Sequence, residues 1–331
     1  MAVVMLNFVG VQMSDIYYLI KSGTLSKSSG SIVLKNEVET VEIPTENVDM
    51  IAIFGNVTFT TPALSLLADS KIPVIIFTER GWYISSIFPD NYLQSGYVLK
   101  RQVEFSIDQS RRLEIAKLFV LGASKNMRRV VARLGAGNLP TNQAKINSAR
   151  TIQELMGVEG NIHINYLERL DTKLPSNFKI NGRSRQPPGN PVNAMMSYLY
   201  SVLYGTITSE ILRTHLSPSI SFLHESTERR SSLALDVNEI FRPIICDRII
   251  LKLINLKMMN DGDFISDSGI YLSAIGKRKV LESFDEKMRE TVFVRGLGRN
   301  VSLRRLIRLE LYKLEKHVLD DVPYKPYVTR I

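Results

Sequence analysis

Residues 51–88 read IAIFGNVTFTTPALSLLADSKIPVIIFTERGWYISSIF and contain two kinds of hydrophobic pattern. Apolar side chains alternate at Ile51 and Ile53, as expected for a strand with one face against a core. The run TTPALSLLADS then predicts a short helix, with Thr61 placed to cap it. Two apolar strands around a turn at residues 79–81 follow the helix. The segment therefore predicts a small, mostly β domain with one helix.

The pattern extends in both directions from this segment. Short apolar runs separated by Ser, Gly, Asn and Pro begin at Tyr17, whereas helical periodicity takes over from about residue 95. The predicted helices cover residues 108–134, 142–156, 159–171, 193–211 and 302–319. In the last helix Arg304, Arg305 and Arg308 are expected on the outer face. The predicted fold is α+β, with a β-rich N-terminal domain at 1–88 and a larger, all-helical domain at 89–331.

Length and composition narrow the class of protein. A chain of 331 residues exceeds the usual size of one domain, so two domains are expected. A hydrophobic share of 44% and a mean hydropathy of −0.01 are typical of a soluble globular protein without a membrane span. A single cysteine, Cys246, cannot form an internal disulfide or a cysteine-based zinc site, which favours the reducing cytoplasm.

Charge is distributed unevenly along the chain. Residues 1–88 contain five Lys and Arg against eight acids, a net charge of −3, whereas the whole chain carries +9. The remaining two thirds therefore carry +12, which favours a polyanionic partner such as nucleic acid. A basic surface that only keeps the protein soluble is the alternative interpretation, because net charge by itself does not define a site.

The common nucleotide-binding and hydrolase motifs are missing. The sequence has no Walker A motif, no G-x-S-x-G elbow and no H-E-x-x-H helix, and GLG at residues 296–298 lacks the third glycine of a dinucleotide fingerprint. Carboxylates and histidines remain as candidates. His163 lies four residues after Glu159, so on one helix the two would share a face. His224 precedes Asp236 by twelve residues and would approach it from an adjoining loop.

Two carboxylates lie among apolar residues in SSLALDVNEIFRP, residues 231–243. On a helix Asp236 and Glu239 share a face, where repulsion and desolvation destabilise two like charges. A cation is therefore expected nearby. One alternative is an arginine, and the candidates are Arg229, Arg230 and Arg242. The other is a hard metal ion bound by carboxylates and one imidazole, a ligand set suited to Mn²⁺ or Mg²⁺.

Several separated phrases occur in an order that is similar to a known family. They are IAIFGNVTFTTPALSLLADSKIPVIIFTERGWYI, GVEGNIHINYLERL, NGRSRQPPGNPVNAMMSYLYSVLYG, SFLHES and SLALDVNEIFRP. These phrases resemble the CRISPR-associated endonuclease and integrase family Cas1. Together with a basic C-terminal helix, the resemblance covers all but about the first dozen residues.

The resemblance implies a β-rich domain that dimerises and a helical domain that binds a divalent metal. It implies catalytic roles for Glu159, His224, Asp236 and Glu239. Glu159, His224 and Glu239 are expected to bind Mn²⁺ or Mg²⁺ directly, with Asp236 as a further ligand or as a partner of one; His163 is then an ordinary helix residue. Candidates for DNA contact are Arg183, Arg185, Arg229, Arg230, Arg242, Tyr166 and Asn193, for which solvated charge or packing is the alternative role.

The implied function is insertion of short DNA spacers into a CRISPR array by transesterification, as part of antiviral defence. The implied partners are double-stranded and branched DNA, a second copy of the chain, and the small protein Cas2. Two alternatives remain open from the sequence. One is a non-catalytic DNA-binding or assembly protein whose acids pair with arginines, and the other is a general repair nuclease acting on branched DNA.

Overall fold

The computed structural model describes residues 3–4, 15–88, 93, 95–226 and 231–330. The chain divides into two compact units, Met1–Tyr92 and Leu93–Ile331. The sequence places the boundary after residue 88. The first unit is rich in strands and the second is largely helical, so the predicted α+β class is confirmed.

The described part of the N-terminal unit contains nine strands and one α-helix. The strands are β1 Val3–Val4, β2 Asp15–Leu19, β3 Gly23–Ser28, β4 Ser31–Lys35, β5 Thr40–Ile43, β6 Val48–Ile53, β7 Val57–Phe59, β8 Val74–Phe77 and β9 Tyr83–Ile87, and the helix is α1 Thr61–Asp69. Thr60 occupies the N-cap position, one residue before the predicted cap, but its side chain makes no capping hydrogen bond. Strand β3 was not predicted, because GTLSKS has a single apolar residue, Leu25, which is fully buried.

Two sheets build this unit. One has the order β1-β2-β6-β8-β9 with β2, β6 and β8 parallel, and the other has the order β5-β4-β3-β7. A single core joins side chains of both sheets and of α1, including Leu19, Ile51, Leu34 and Leu67. The parallel strand β6 is buried almost throughout, as expected for a central strand covered on both faces. The unit therefore has its own hydrophobic core.

The C-terminal unit is built around long helices. They are α2 Gly96–Ile107, α3 Gln109–Arg133, α4 Gln143–Ser148, α5 Ile152–Asp171, α6 Pro191–Ile211, α7 Ser232–Phe241, α8 Arg248–Asn255, α9 Ala274–Arg289 and α10 Leu303–Asp320. One π-helical turn, Pro243–Asp247, joins α7 to α8. Two short hairpins correct the expectation of an all-helical domain; their strands are β10 Phe264–Ser266, β11 Ile270–Leu272, β12 Thr291–Val294 and β13 Arg299–Ser302. Helices α8 and α9 were not predicted either.

Helix α6 runs through the core of this unit, since almost every residue from Val192 to Ile211 is buried. Its buried Glu210 pairs with Arg304 at 2.8 Å and Arg308 at 2.5 Å on α10. Burial raises the pKa of Glu210, but the two guanidinium groups outweigh it and lower the pKa to about 2. Both arginines were expected on the outer face; only Arg305 is exposed there, because the buried carboxylate needs charged partners.

The segment after α10 packs against α3 and α7. The side chain of Asn126 on α3 donates to the carbonyl of Ile240 at 2.9 Å and to that of Tyr327 at 3.1 Å, and it accepts from the Thr329 amide at 2.9 Å. The rings of Phe241 and Tyr327 stack with their centroids 6.1 Å apart. Residues 321–330 therefore support the helix that carries Asp236 and Glu239.

Candidate active site

Helix α5 positions Glu159 and His163. Thr151 caps the helix by accepting from the amide of Glu154, and Ile152, Leu155 and Ile162 lie on its buried side. The sequence predicts a break between residues 156 and 159, which is wrong: the break lies at residues 149–151, and Glu159 belongs to one continuous helix. Glu159 and His163 consequently lie one turn apart on α5.

Asp236 on α7 organises the loop that contains His224. Its side chain is fully buried and accepts from the amides of Phe222 at 2.7 Å, Leu223 at 3.0 Å and His224 at 2.9 Å. A fourth contact joins the same carboxylate to Nδ1 of His224 at 2.8 Å. Four hydrogen bonds use the acceptor capacity of a carboxylate. Through these hydrogen bonds Asp236 positions His224. This is the second of its two expected roles, that of a partner of a metal ligand.

The contact with Asp236 also sets the state of the His224 ring. Burial lowers the pKa of His224, but the hydrogen bond and charge of Asp236 outweigh it, so the pKa lies above its ordinary value. Because Nδ1 faces Asp236, the other ring nitrogen, Nε2, points away from that carboxylate. A histidine that binds a metal commonly has this arrangement, with one nitrogen held by a carboxylate.

Glu239 and Glu159 share one guanidinium group. Arg242 lies 2.5 Å from the Glu239 carboxylate and 4.0 Å from that of Glu159. Burial and the charge of Glu239 raise the pKa of Glu159 to about 7, although Arg242, His224 and Arg185 oppose the rise. The arginine predicted as one alternative is thus present at the acids, yet one guanidinium does not fully compensate both carboxylates.

A network that the sequence did not reveal holds Arg242 in place. Its guanidinium lies over the ring of Tyr200, 4.9 Å from the centroid. The hydroxyls of Tyr200 and Tyr166 donate to the buried Asp247 at 2.6 Å and 2.9 Å. The only signal in the sequence was an acid in the apolar run PIICDRII. Tyr166 is fully buried, so the expectation that it contacts DNA is wrong for this structure.

The loop before α6 contains the other predicted DNA contacts. Asn193 is fully buried; its amide nitrogen donates to the carbonyls of Ile180 at 3.0 Å and Gly182 at 2.9 Å, and its oxygen accepts from Arg183 at 3.0 Å. Arg183 also donates to Ser197 at 3.0 Å. Both side chains therefore shape the loop, which corrects the expectation that Asn193 contacts DNA, because its polar atoms are used inside the protein.

Arg185 differs from Arg183 in being exposed, and it makes no hydrogen bond or ion pair with any residue that the structure describes. Its charge nevertheless acts on Glu159 and on His163. Burial and the nearby Arg242, Arg185 and Arg183 lower the pKa of His163 well below its ordinary value, so this ring is neutral. Arg229 and Arg230, the remaining candidates, lie outside the described residues.

The chemical types of the expected ligands suit a divalent cation better than their positions in this structure do. Within the described part of the chain, no three His, Cys, Asp or Glu side chains are grouped closely enough to enclose an ion. The donor types fit, since two carboxylates and an imidazole with its Nδ1 held by Asp236 suit Mn²⁺ or Mg²⁺. The raised pKa of Glu159 also indicates that this cluster favours further positive charge.

Fold and cluster define a class: an α+β protein whose basic helical unit presents two carboxylates, an imidazole and an arginine at one place. The family model described as CRISPR associated protein Cas1 matches residues 17–286. The chain belongs to the Cas1 family. Among the residues described, none of the helices has the length and apolar character needed to cross a bilayer.

Several known proteins are similar to this chain in sequence, in fold or in both. A CRISPR-associated protein Cas1 of Methanobrevibacter ruminantium is 40% identical over 94% of this chain and 98% of its own length. A CRISPR-associated endonuclease Cas1 of Thermotoga maritima is 38% identical over 92% of this chain and 97% of its own. A solved Cas1 protein of Thermotoga maritima has a TM-score of 0.86 at 35% identity, covering 93% of this chain and 97% of its own. A casposase bound to integration product has a TM-score of 0.84 at 22% identity, covering 96% and 94%, and shows the same fold.

Proposed function

We propose that this protein is a divalent-metal-dependent DNA endonuclease and integrase of CRISPR adaptation. The observation that supports this most is the cluster in which Glu159 and Glu239 flank one guanidinium while Asp236 holds His224 by its ring and its amide. Relatives that cover nearly the whole chain are named CRISPR-associated endonucleases. The excess of positive charge after residue 88 suits a DNA substrate.

Glu159, His224 and Glu239 are the residues that would hold Mn²⁺ or Mg²⁺. When bound there, the ion supplies charge neutralisation at a phosphate and activation of an oxygen nucleophile. Asp236 keeps the ring of His224 in one orientation, and Tyr200 with Asp247 keeps Arg242 beside the carboxylates. The exposed Arg185 is available to a phosphate oxygen.

The reaction we propose exchanges one phosphodiester bond for another. The 3′-hydroxyl oxygen of a short duplex bonds to phosphorus in the target strand as the bond from that phosphorus to its own 3′-oxygen breaks. The attacking hydroxyl loses a proton and the departing 3′-oxygen gains one, so no water is consumed. A homodimer formed through the N-terminal unit, acting with Cas2, would present two such sites; both partners are proposed from family membership.

Strand transfer by the purified protein tests this function. With Mn²⁺ or Mg²⁺, the protein is expected to join a duplex with free 3′-hydroxyls to a CRISPR-repeat target and to cleave branched DNA. Glu159→Gln, His224→Ala and Glu239→Gln are each expected to lower the rate by at least about 100-fold, since each removes a donor from the ion. Glu168→Gln, a matched change at an exposed position of α5, is expected to leave the rate unchanged. Unaltered activity in the first three variants would refute the proposal.

Product analysis separates integration from general repair. Joined half-site products indicate strand transfer, whereas shortened strands alone indicate a nuclease that hydrolyses branched DNA. The measurement is electrophoresis of both strands, each labelled with a different dye. A wild-type protein that yields only shortened strands would contradict the integrase proposal while leaving a metal-dependent nuclease in place.

The close pair of Arg242 and Glu239 favours a second candidate, a DNA-binding or assembly protein without chemistry. Arg242→Gln distinguishes the two, because breaking a buried pair typically destabilises a protein by about 3–5 kcal/mol and leaves both carboxylates without their cation. If the acids form a metal site, Mn²⁺ raises the melting temperature of the variant more than that of the wild type. If they do not, Mn²⁺ shifts neither protein. Arg278→Gln, which breaks an exposed pair with Glu282, is the control.

A further inference from the structure

A pocket of about 350 Å³ lies between α3 and α8, formed by residues other than the four of the carboxylate–histidine cluster. Its apolar lining consists of Val130, Leu134, Ile244, Leu251 and Leu256. The volume is within the range of roughly 300–1,000 Å³ typical of small-ligand sites. Such a lining suits a flat, weakly polar group, for example a nucleobase.

The charges around this pocket are all positive. Among the described residues that line it, Arg129, Arg133, Arg248 and Lys252 are charged and none is acidic. Lys252 bonds to Glu286 at 2.8 Å. The three arginines make no hydrogen bond or ion pair with any described residue. Guanidinium groups without a carboxylate partner at one cavity are the arrangement that binds an anion.

Arg133 and Arg248 lie close enough to repel each other. Burial lowers the pKa of Arg248, and the charge of Arg133 lowers it further. The negative charge of Glu290 acts in the opposite direction and raises the pKa of Arg248, but the Glu290 carboxylate already accepts a hydrogen bond from Lys287 at 2.5 Å. A phosphate between the two guanidinium groups would remove this repulsion and accept hydrogen bonds from both.

A wider groove of about 1,150 Å³ continues from the same two arginines. Its charged lining is six cations and one acid: Arg133, Arg248, Arg295, Lys313, Lys316, Arg330 and Glu290. The side chains of Phe293 and Tyr312 also line it and are 55% and 38% exposed. A groove with basic side chains and accessible aromatic rings is typical of surfaces that follow a single nucleic-acid strand. Its extent exceeds what a lone phosphate needs.

We propose that this pocket and groove form a binding site for single-stranded DNA, separate from the reactive cluster. A phosphate binds between Arg133 and Arg248, a neighbouring base enters the apolar pocket, and the strand continues along the groove past Phe293 and Tyr312. A base enters such a pocket only when it is unstacked, so an unpaired strand is favoured over duplex. The choice of DNA as the polyanion rests on the proposed function.

Removal of the two guanidinium charges tests the phosphate contact. For Arg133→Gln/Arg248→Gln, we expect single-strand affinity to fall at least about tenfold and the slope of log K against log salt to fall by about 1.4, since each contact contributes about 0.7. The measurement is fluorescence anisotropy of a labelled single strand in EDTA. Lys27→Gln/Lys35→Gln removes two exposed charges from the other unit and is expected to leave the slope unchanged. An unchanged slope in the first variant would overturn the proposal.

A change without loss of charge tests the base pocket. Leu256→Trp places a larger side chain at the pocket from an exposed position and is expected to weaken single-strand binding several-fold, whereas Val38→Trp is the control. Polyglutamate of matched charge is expected to compete poorly. Equal competition by polyglutamate would mean that the groove recognises acidic protein, and it would overturn the DNA site.

The strand-binding test is independent of the chemistry. It is run in EDTA, so it remains informative if the protein neither cleaves nor joins DNA. If the wild type shows the chemistry and Arg133→Gln/Arg248→Gln binds the strand as well as the wild type does, the proposed binding site is refuted and the proposed function is not. If strand binding depends on these arginines but the protein shows no metal-dependent chemistry, the proposed function is refuted and the binding site is not.

Discussion

Asp247 illustrates how a side chain that does not reach the reactive carboxylates influences them. It is 1% exposed and accepts from two tyrosine hydroxyls, one of which belongs to the ring under Arg242. Burial raises the pKa of Asp247 to about 6, although the hydrogen bond from Tyr200 and the charge of Arg242 oppose the rise. The carboxyl group therefore titrates just below neutral pH.

This shift predicts a pH dependence of stability. A carboxyl whose pKa is higher in the folded chain stabilises the fold fully below its ordinary pKa, and that contribution is lost as pH rises through the folded value. Between pH 5 and 7.5 the loss from Asp247 is about 1 kcal/mol. Asp247→Asn removes this dependence, so the difference in unfolding free energy between wild type and variant should change by that amount. Urea unfolding of both proteins measures it; parallel pH profiles would contradict the assignment.

Individual site residues could be predicted only as far as sequence patterns allow. The spacing of Asp236 and Glu239 indicated a shared need for a cation, and the structure provides different partners for each: the 222–224 loop for Asp236 and Arg242 for Glu239. Tyr166 and Asn193 matched family phrases, yet both are buried. Whether a polar side chain meets solvent or the backbone depends on contacts between distant segments, which no local pattern specifies.

At the scale of elements, helix α7 packs against α3 and against residues 321–330. Gly122 on α3 makes this contact close, since an added Cβ would lie 2.7 Å from Cβ of Pro326 and 3.5 Å from Ile240. Glycine is needed at position 122 because a side chain would collide with Pro326, and not because of its backbone angles. The consequence is that a small change on α3 acts on the helix that carries both acids.

Gly122→Ala is expected to push residues 321–330 away from α3 and to destabilise the protein by about 1–3 kcal/mol, as overpacking does. Chymotrypsin should then cut more rapidly at Tyr324 and Tyr327, which limited proteolysis with mass spectrometry would show. Gly157→Ala is the matched control: its Cβ would meet nothing within 4 Å, and we expect it to stabilise α5 by about 0.5–1 kcal/mol. Equal cleavage in both variants would exclude this packing role.

Helix ends were predicted less well than helix centres. The long α3 and α10 were recognised from their periodicity, whereas the break before α5 was placed seven residues too late. Thr151 and Asp108 act as caps because each side chain accepts an amide of the first turn. Helix α5 continues through Gly157 and Gly160, because a helix embedded in a larger unit tolerates glycines that would weaken an isolated one.

At the scale of the whole molecule, the two units differ in charge and in composition. The single tryptophan, Trp82, lies in the strand-rich unit, and nine of the ten described α-helices belong to the other. Trp82 emission therefore reports unfolding of the first unit, whereas ellipticity at 222 nm is dominated by the second. Because each unit has its own core, a ligand of one need not stabilise the other.

We expect DNA to raise the unfolding midpoint followed at 222 nm and to leave the midpoint of Trp82 emission unchanged. The physical reason is that a ligand stabilises only the folded part to which it binds, and the positive charge lies after residue 88. Thermal unfolding followed by both signals, with and without single-stranded DNA, is the measurement. A common shift of both midpoints would show that the units unfold together or that both bind DNA.

The sequence by itself determined the α+β class, the division between a strand-rich and a helical part, the charge asymmetry and the family, because periodicity, composition and ordered phrases are local properties of the chain. Only the tertiary structure decided that Arg242 lies between Glu239 and Glu159, that Asp247 and Tyr200 hold it, and that Arg133 and Arg248 meet at one cavity. Arg133, Glu159 and Tyr200 belong to helices α3, α5 and α6, far in sequence from the 239–248 segment that carries the other residues. Their proximity is set by packing, and so are the burial and the charge interactions that shift their pKa values.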